Sequence, residues 1–222
     1  IVCVYGKGGE IIMKGLLLKE SYMINKYCRM YLVLVCIFGA VFVISGNEFM
    51  MFYPVVLTGI IPMSLISYDE RSKWYVYAEA FPYSRKQIVS AKYLITLFYL
   101  LAAVVILAAA GVIKSVLFPG GEMSIKEYLF VVSTVPLAGL FIPSIMLPPV
   151  FKMGAEKGRI VYYVEIFAIA LIFGIFSEFQ AELARWLAYF GSLIVPIAIA
   201  GMLLLFGISW MLSVKFYERR EL

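Results

Sequence analysis

The segment formed by residues 68–92 holds the densest group of side chains that could do polar chemistry. It carries three acidic and five basic residues, which can form ion pairs and charge-assisted hydrogen bonds. The chain contains no histidine, so it lacks the commonest general base and metal ligand. The segment can therefore form ion pairs, and an enzyme is not expected.

A short helix is predicted over residues 69–81. Asp69, Glu70 and Arg71 are expected to open it, because acids favour the positive N-terminal end of a helix. Asp69 and Lys73 are four residues apart, a spacing at which opposite charges on a helix support each other. Pro82 is expected to end the helix. Helical spacing places an apolar stripe on one side, formed by Trp74, Tyr77, Ala78 and Phe81, opposite the polar Ser72 and Glu79.

The composition places the chain in a membrane. Of its 222 residues, 64% are hydrophobic and 15% are charged, and the mean hydropathy is +0.95. A water-soluble domain has about 25% charged residues. We predict an all-α polytopic membrane protein with one transmembrane domain over residues 13–222. Its six helical crossings are expected at about residues 30–47, 49–68, 93–113, 128–151, 160–177 and 189–214.

The basic residues predict the orientation of these crossings. With both termini in the cytoplasm, 16 of the 19 lysines and arginines lie on the cytoplasmic side and 3 lie outside. The same rule accounts for the net charge of +5, so nucleic acid is not expected as a partner. The short helix then lies at the cytoplasmic mouth between the second and third crossings. Beyond it, Ser84 is expected to cap a helix that begins at Arg85. An ordinary interfacial loop helix is the alternative.

Residues 14–29 predict a basic amphipathic elbow helix in the inner membrane interface. Ile24 and Cys28 lie on its apolar side, whereas Lys19, Lys26 and Arg29 lie on its polar side. Long basic side chains can bury their stems and keep their charges in water. A role in supplying orientation charge alone is compatible with the same pattern.

Residues 1–12 are predicted to be a translated leader. The run Lys7-Gly8-Gly9-Glu10 can be back-translated into a purine-rich ribosome-binding sequence just before Met13, which would then be the natural start. A genuine short amphipathic N-terminus is the alternative.

On the outer side, residues 178–189 predict a short interfacial helix between the fifth and sixth crossings. Its apolar face includes Phe179, Leu183 and Trp186, and its polar face includes Glu182 and Arg185. A simple loop in the aromatic belt of the membrane is equally compatible with these residues.

Glu165 is the one acid well inside a predicted crossing. An intramembrane carboxylate is costly and marks a functional candidate. It lies about 7–8 Å along a helix from Ile160, so we expect it to reach the inner headgroups near Lys157 and Arg159. No proton relay is assigned to it.

The pattern around the short helix resembles the bacterial ABC type-2 permeases, which are membrane subunits of ATP-binding-cassette exporters. The matching residues are Asp69-Glu70-Arg71, Lys73-Trp74, Tyr77, Pro82-Tyr83-Ser84-Arg85 and Lys92-Tyr93. The six crossings, the elbow helix and the outer helix are similar to that family too, so the likeness extends over residues 13–222. It implies a location in the bacterial plasma membrane.

The resemblance implies that the short helix is a coupling helix that contacts a separate ATPase subunit, which would bind ATP and Mg. In such an interface Trp74 and Phe81 would hold the helix against the crossings. The other interface residues would be Asp69, Glu70, Arg71, Lys73, Tyr77, Glu79 and Arg85. The resemblance also implies a permease homodimer with two ATPase subunits. Its substrate would be amphipathic or hydrophobic, with a peptide toxin or bacteriocin as the first choice and a drug or lipid next.

ATP hydrolysis is not expected on this chain. A phosphate-binding loop needs the pattern GxxxxGK[ST], and the only Gly-Lys pair, Gly6-Lys7, lacks the Ser or Thr. No cofactor and no metal are therefore assigned to it. The alternative function is a secondary transporter driven by an ion gradient. That class calls for buried acids in the crossings, and only Glu165 offers itself.

Overall fold

The computed structural model describes residues 5–45, 49–81, 83–117, 125–177 and 194–220. These residues contain α-helices and no β-strand, which confirms the predicted all-α class. In chain order the helices are α1 (Tyr5–Met23), α2 (Arg29–Ser45), α3 (Phe49–Gly59), α4 (Ile61–Arg71), α5 (Trp74–Glu79), α6 (Arg85–Leu117), α7 (Ile125–Met153), α8 (Ala155–Ser177) and α9 (Ile194–Arg219).

Four stretches of the described chain are long and apolar enough to cross a membrane. They are Met13–Ser45, Arg85–Leu117, Thr134–Met153 and Val195–Arg219. These stretches coincide with the first, third, fourth and sixth predicted crossings. The second predicted crossing falls on α3 and α4 and the fifth falls on α8, so the count of six stays a prediction. The predicted outer helix at 178–189 lies outside the described residues.

The second predicted crossing is divided into two helices at Ile60. α3 ends at Gly59, and α4 begins at Ile61 with Pro62 in its first turn. Proline has no amide hydrogen, so Pro62 cannot continue the hydrogen-bond ladder from α3, whereas it fits the first turn of a new helix. The apolar run therefore forms two short helices in place of one continuous helix.

The N-terminal region is one long helical run in place of the predicted elbow and separate crossing. α1 passes through a π-helical turn, Ile24–Cys28, directly into α2. Ile24 and Cys28 are buried, as predicted for the apolar side, and Lys26 and Arg29 are exposed. Lys19 differs from the prediction because its ammonium group turns inward to acidic side chains.

The core is centred on α7, which packs against α3, α6, α8 and α9. Met146, Leu147 and Val150 are fully buried on α7. Gly139 on the same helix permits a close approach of α3 and α6. A methyl group added there would lie 2.3 Å from Leu100 and 2.4 Å from Val55. This packing fixes the ends of the helices that carry the charged residues.

A hydrogen-bonded seam joins α6 to α9. The hydroxyl group of Tyr93 lies 2.7 Å from the hydroxyl groups of both Ser209 and Ser213, and all three residues are buried. Trp210 Nε1 donates to Ser90 Oγ at 3.0 Å. Such interhelical hydrogen bonds stabilise helix packing where there is no water. The seam therefore fixes α6 relative to α9 near the end of the bundle that carries the segment 68–92.

Candidate functional site

The acidic pair Asp69–Glu70 lies at the C-terminal end of α4. α4 ends at Arg71, and Lys73 has a left-handed backbone with φ 51°, which separates α4 from the short α5. The prediction of a single helix over 69–81, opened by acids, is therefore wrong. Acids at a helix C-terminus face the negative end of the helix dipole, so this placement requires nearby cations. The fold supplies them from distant parts of the chain.

Asp69 belongs to a closed ring of four alternating charges. Its two carboxylate oxygens bind the ammonium groups of Lys19 and Lys92. The same two lysines bind Glu20, at 3.0 Å and 2.7 Å respectively. Lys92 and Glu20 are each only 1% exposed. The predicted pair between Asp69 and Lys73 is replaced by this ring, in which the four charges compensate one another. The ring joins α1, α4 and α6.

Glu70 forms a second junction. One carboxylate oxygen accepts a hydrogen bond from the backbone amide of Ala155 at 2.8 Å, and the other accepts one from Arg220 at 3.0 Å. Gly154 precedes this amide with φ 92°, and a methyl group there would lie 3.1 Å from the Glu70 carboxylate. Both facts favour glycine at this turn. Glu70 therefore connects the end of α4 to the start of α8 and to the segment after α9.

Arg85 makes its contacts within the chain. Its guanidinium group donates to the backbone carbonyl oxygens of Tyr217, Glu218 and Arg220, at 3.2, 3.0 and 2.9 Å. The last carbonyl groups of a helix have no partner within the helix, and a cation there also suits the helix dipole. Arg85 thus attaches the start of α6 to the end of α9.

α5 and the turn that follows it carry an exposed apolar surface, which we call the α5 patch. Its members are Val76, Tyr77 and Phe81. Tyr77 is 65% exposed and Phe81 is 54% exposed. Trp74 is half-buried and Ala78 is buried, so the predicted apolar stripe is divided. Trp74 and Ala78 of the predicted stripe face the bundle, whereas Tyr77 and Phe81 face away from it. Phe81 therefore differs from the expectation that it packs against the crossings.

The predicted interface residues fall into two groups. Asp69, Glu70 and Arg85 bind within the chain, whereas Arg71 and Lys73 are exposed next to α5. The side chain of Glu79, another predicted interface residue, lies outside the part of the chain that the structure describes. Within the part of the chain that the structure covers, no group of three His, Cys, Asp or Glu side chains could hold a metal ion. The chemistry of this site is therefore ion pairing and an exposed apolar contact.

Glu165 is buried in the bundle. It is 6% exposed, and its two carboxylate oxygens have no hydrogen-bond partner among the residues that the structure describes. Arg159 donates to Ser67 at 3.3 Å. Neither Lys157 nor Arg159 therefore contacts Glu165 in the described residues, and its expected position near the headgroups stays a prediction.

The comparison with protein families agrees with these features. The family described as ABC-2 family transporter protein matches residues 15–218. The match covers nearly the whole chain, including the ring of charges, Glu70 with Ala155, and the α5 patch. No curated protein and no solved structure matches the chain. Its long apolar helices and this match make the chain a multi-pass membrane protein, and it belongs to the ABC-2 family of membrane transporter proteins.

Proposed function

We propose that this chain is the permease subunit of an ATP-driven exporter and that a separate nucleotide-binding subunit hydrolyses the ATP. Membership of the ABC-2 family supports the role as a permease. One observation supports a role in coupling, namely that the α5 patch is exposed on a short segment whose two flanks are attached to the bundle. Asp69 and Glu70 attach the chain before α5, and Arg85 attaches the chain after it. Exposed aromatic side chains on a rigid support are typical of protein interfaces.

The two junctions connect α5 to most of the bundle. Asp69 connects it to α1 and α6, and Glu70 connects it to α8 and the segment after α9. The ammonium group of Lys19 also lies 3.9 Å from the centre of the Trp74 ring on α5. Packed helices move as rigid units, so a displacement of α5 would be passed to both junctions. In this proposal the α5 patch contacts the ATPase, and Asp69 and Glu70 transmit the motion.

The proposed assembly contains two copies of this chain and two ATPase subunits, which bind ATP and Mg. Each copy has six crossings in the bacterial plasma membrane, with both termini in the cytoplasm. The proposed cargo is amphipathic or hydrophobic, because the predicted crossings offer few polar side chains. A peptide toxin or bacteriocin is the first choice, and a drug or lipid comes next.

Reconstitution tests this proposal. The chain is placed in liposomes with and without the ATPase subunit encoded by a neighbouring gene, and transport of a labelled amphipathic peptide is measured. We expect transport only when both proteins and ATP with Mg are present. Transport by the chain alone, driven by an ion gradient, would contradict the proposal.

The burial of Glu165 favours a second candidate, a transporter driven by an ion gradient. A buried intramembrane carboxylate is the kind of group that binds a proton or cation in such transporters. The exporter proposal predicts that Glu165→Gln keeps ATP-dependent transport within about twofold of the wild-type rate. Glu156→Gln, which changes an exposed acid on the same helix, is the control. A transport rate that falls more than about tenfold in Glu165→Gln alone would favour the second candidate.

A further inference from the structure

An open crevice of about 340 Å³ lies between the C-terminal end of α4 and the turn that joins α7 to α8. Three basic side chains line it, those of Arg71, Lys157 and Arg220, together with the two acids Glu70 and Glu156. The crevice is separate from the α5 patch. Basic residues therefore outnumber acidic ones in a space large enough for a small polar group.

The pairing inside the crevice leaves two cations, Arg71 and Lys157, against one acid without an ion pair, Glu156, so its described lining has an excess of one positive charge. The Glu70 carboxylate already accepts hydrogen bonds from Arg220 and from the amide of Ala155. Arg71 and Lys157 are both exposed, and neither has an acidic partner in the described ranges. A ligand with a negative charge would supply what these two side chains lack.

The crevice continues onto an apolar helix face. Residues three and seven positions apart lie on the same side of a helix, which places Lys157 in line with Ile160 and Val164 on α8. Both apolar residues are largely exposed, and Met153 is exposed where it lines the crevice. A ligand held by Lys157 would thus have an apolar surface beside it. A phosphate group that carries acyl chains has this combination of properties.

We infer that the crevice binds the headgroup of an anionic phospholipid, with the acyl chains lying along the exposed face of α8. Basic pockets beside membrane helices attract anionic headgroups because charge attraction is added to the apolar contact. Arg71 and Lys157 hold the phosphate in this assignment. The lipid is a resident ligand of the permease, and its binding needs neither the ATPase nor the exported cargo.

Titration of lipid into the full chain tests this inference. Phosphatidylglycerol or phosphatidylcholine is added to the purified chain in detergent, and bound lipid is counted by native mass spectrometry. We expect tighter binding of phosphatidylglycerol. The double variant Arg71→Gln/Lys157→Gln should weaken that binding by about fivefold for each charge removed. Lys86→Gln/Lys215→Gln removes two exposed cations outside the crevice and should change it by less than about twofold.

Three results would overturn the assignment. The two lipids could bind equally, or both double variants could lose binding equally, which would mean general charge attraction. Inorganic phosphate at millimolar concentration could displace the lipid, which would make the crevice a site for free phosphate. Because Arg71 and Lys157 are exposed, unchanged thermal unfolding of the variant is expected, and the single Lys157→Gln variant repeats the test with one change. ATP-driven transport is not measured here, so failure of this inference leaves the exporter proposal standing.

Discussion

Replacing Lys92 with methionine is expected to lower the free energy of unfolding by about 3–5 kcal/mol. Lys92 is 1% exposed and binds both Glu20 and Asp69, so its loss leaves excess negative charge buried in the ring. Methionine fills a similar volume, so the effect comes from charge and not from a cavity. Denaturant unfolding of the purified chain in detergent, followed by circular dichroism, measures the change.

Two comparisons separate the ring from a general effect of losing a lysine. Lys86→Met changes an exposed lysine on the same helix and should alter stability by less than about 1 kcal/mol. Adding Glu20→Gln to Lys92→Met should recover part of the loss, because the remaining pair of Lys19 with Asp69 is neutral. Equal destabilisation by the Lys86 and Lys92 variants would contradict a buried ring of charges.

The double variant Tyr77→Ser/Phe81→Ser is expected to weaken association with the ATPase subunit by about a hundredfold or more. Aromatic side chains at the centre of an interface commonly contribute about 2 kcal/mol each or more. Both side chains are mostly exposed in the chain itself, so its fold should persist. Titration of the ATPase subunit onto the chain in nanodiscs measures the dissociation constant.

A matched control comes from α1. Leu18 and Tyr22 are also exposed apolar residues four positions apart, and Leu18→Ser/Tyr22→Ser should change the dissociation constant by less than about threefold. The role of the α5 patch would be refuted by similar losses in the two double variants, or by unchanged association in Tyr77→Ser/Phe81→Ser.

Local signals in the sequence predicted the helical class and several helix ends. Continuous apolar runs indicated membrane helices, and four of them coincide with long helices. Ser84 caps α6 as predicted: its hydroxyl oxygen accepts a hydrogen bond from the backbone amide of Gln87 at 3.2 Å, and its own backbone amide donates to the side-chain oxygen of Gln87 at 2.9 Å. These features depend on residues close together in the chain, which explains why they could be predicted.

The charged junctions depend on residues far apart in the chain, and the sequence did not predict them. The acids at 69 and 70 were placed at the start of a helix because dipole arguments are local, whereas their cations come from α1, α6 and the segment after α9. One signal was available. Lys92 lies at helical spacing from the buried Val89, Thr96 and Tyr99, so its charge falls on an apolar face and requires a buried partner. The same kind of signal marks Glu20, which lies four residues from the buried Leu16 and four from the buried Ile24, on the apolar side of the predicted elbow helix.

Photo-crosslinking from the α5 patch tests the central claim most directly, namely that this surface contacts a separate ATPase. Benzoylphenylalanine is placed at Tyr77, and at Tyr22 as the control, in membranes that contain both proteins. We predict a cross-link to the ATPase subunit from position 77 and none from position 22. If position 77 gives no cross-link in a complex that hydrolyses ATP and transports its cargo, the proposed coupling surface is wrong.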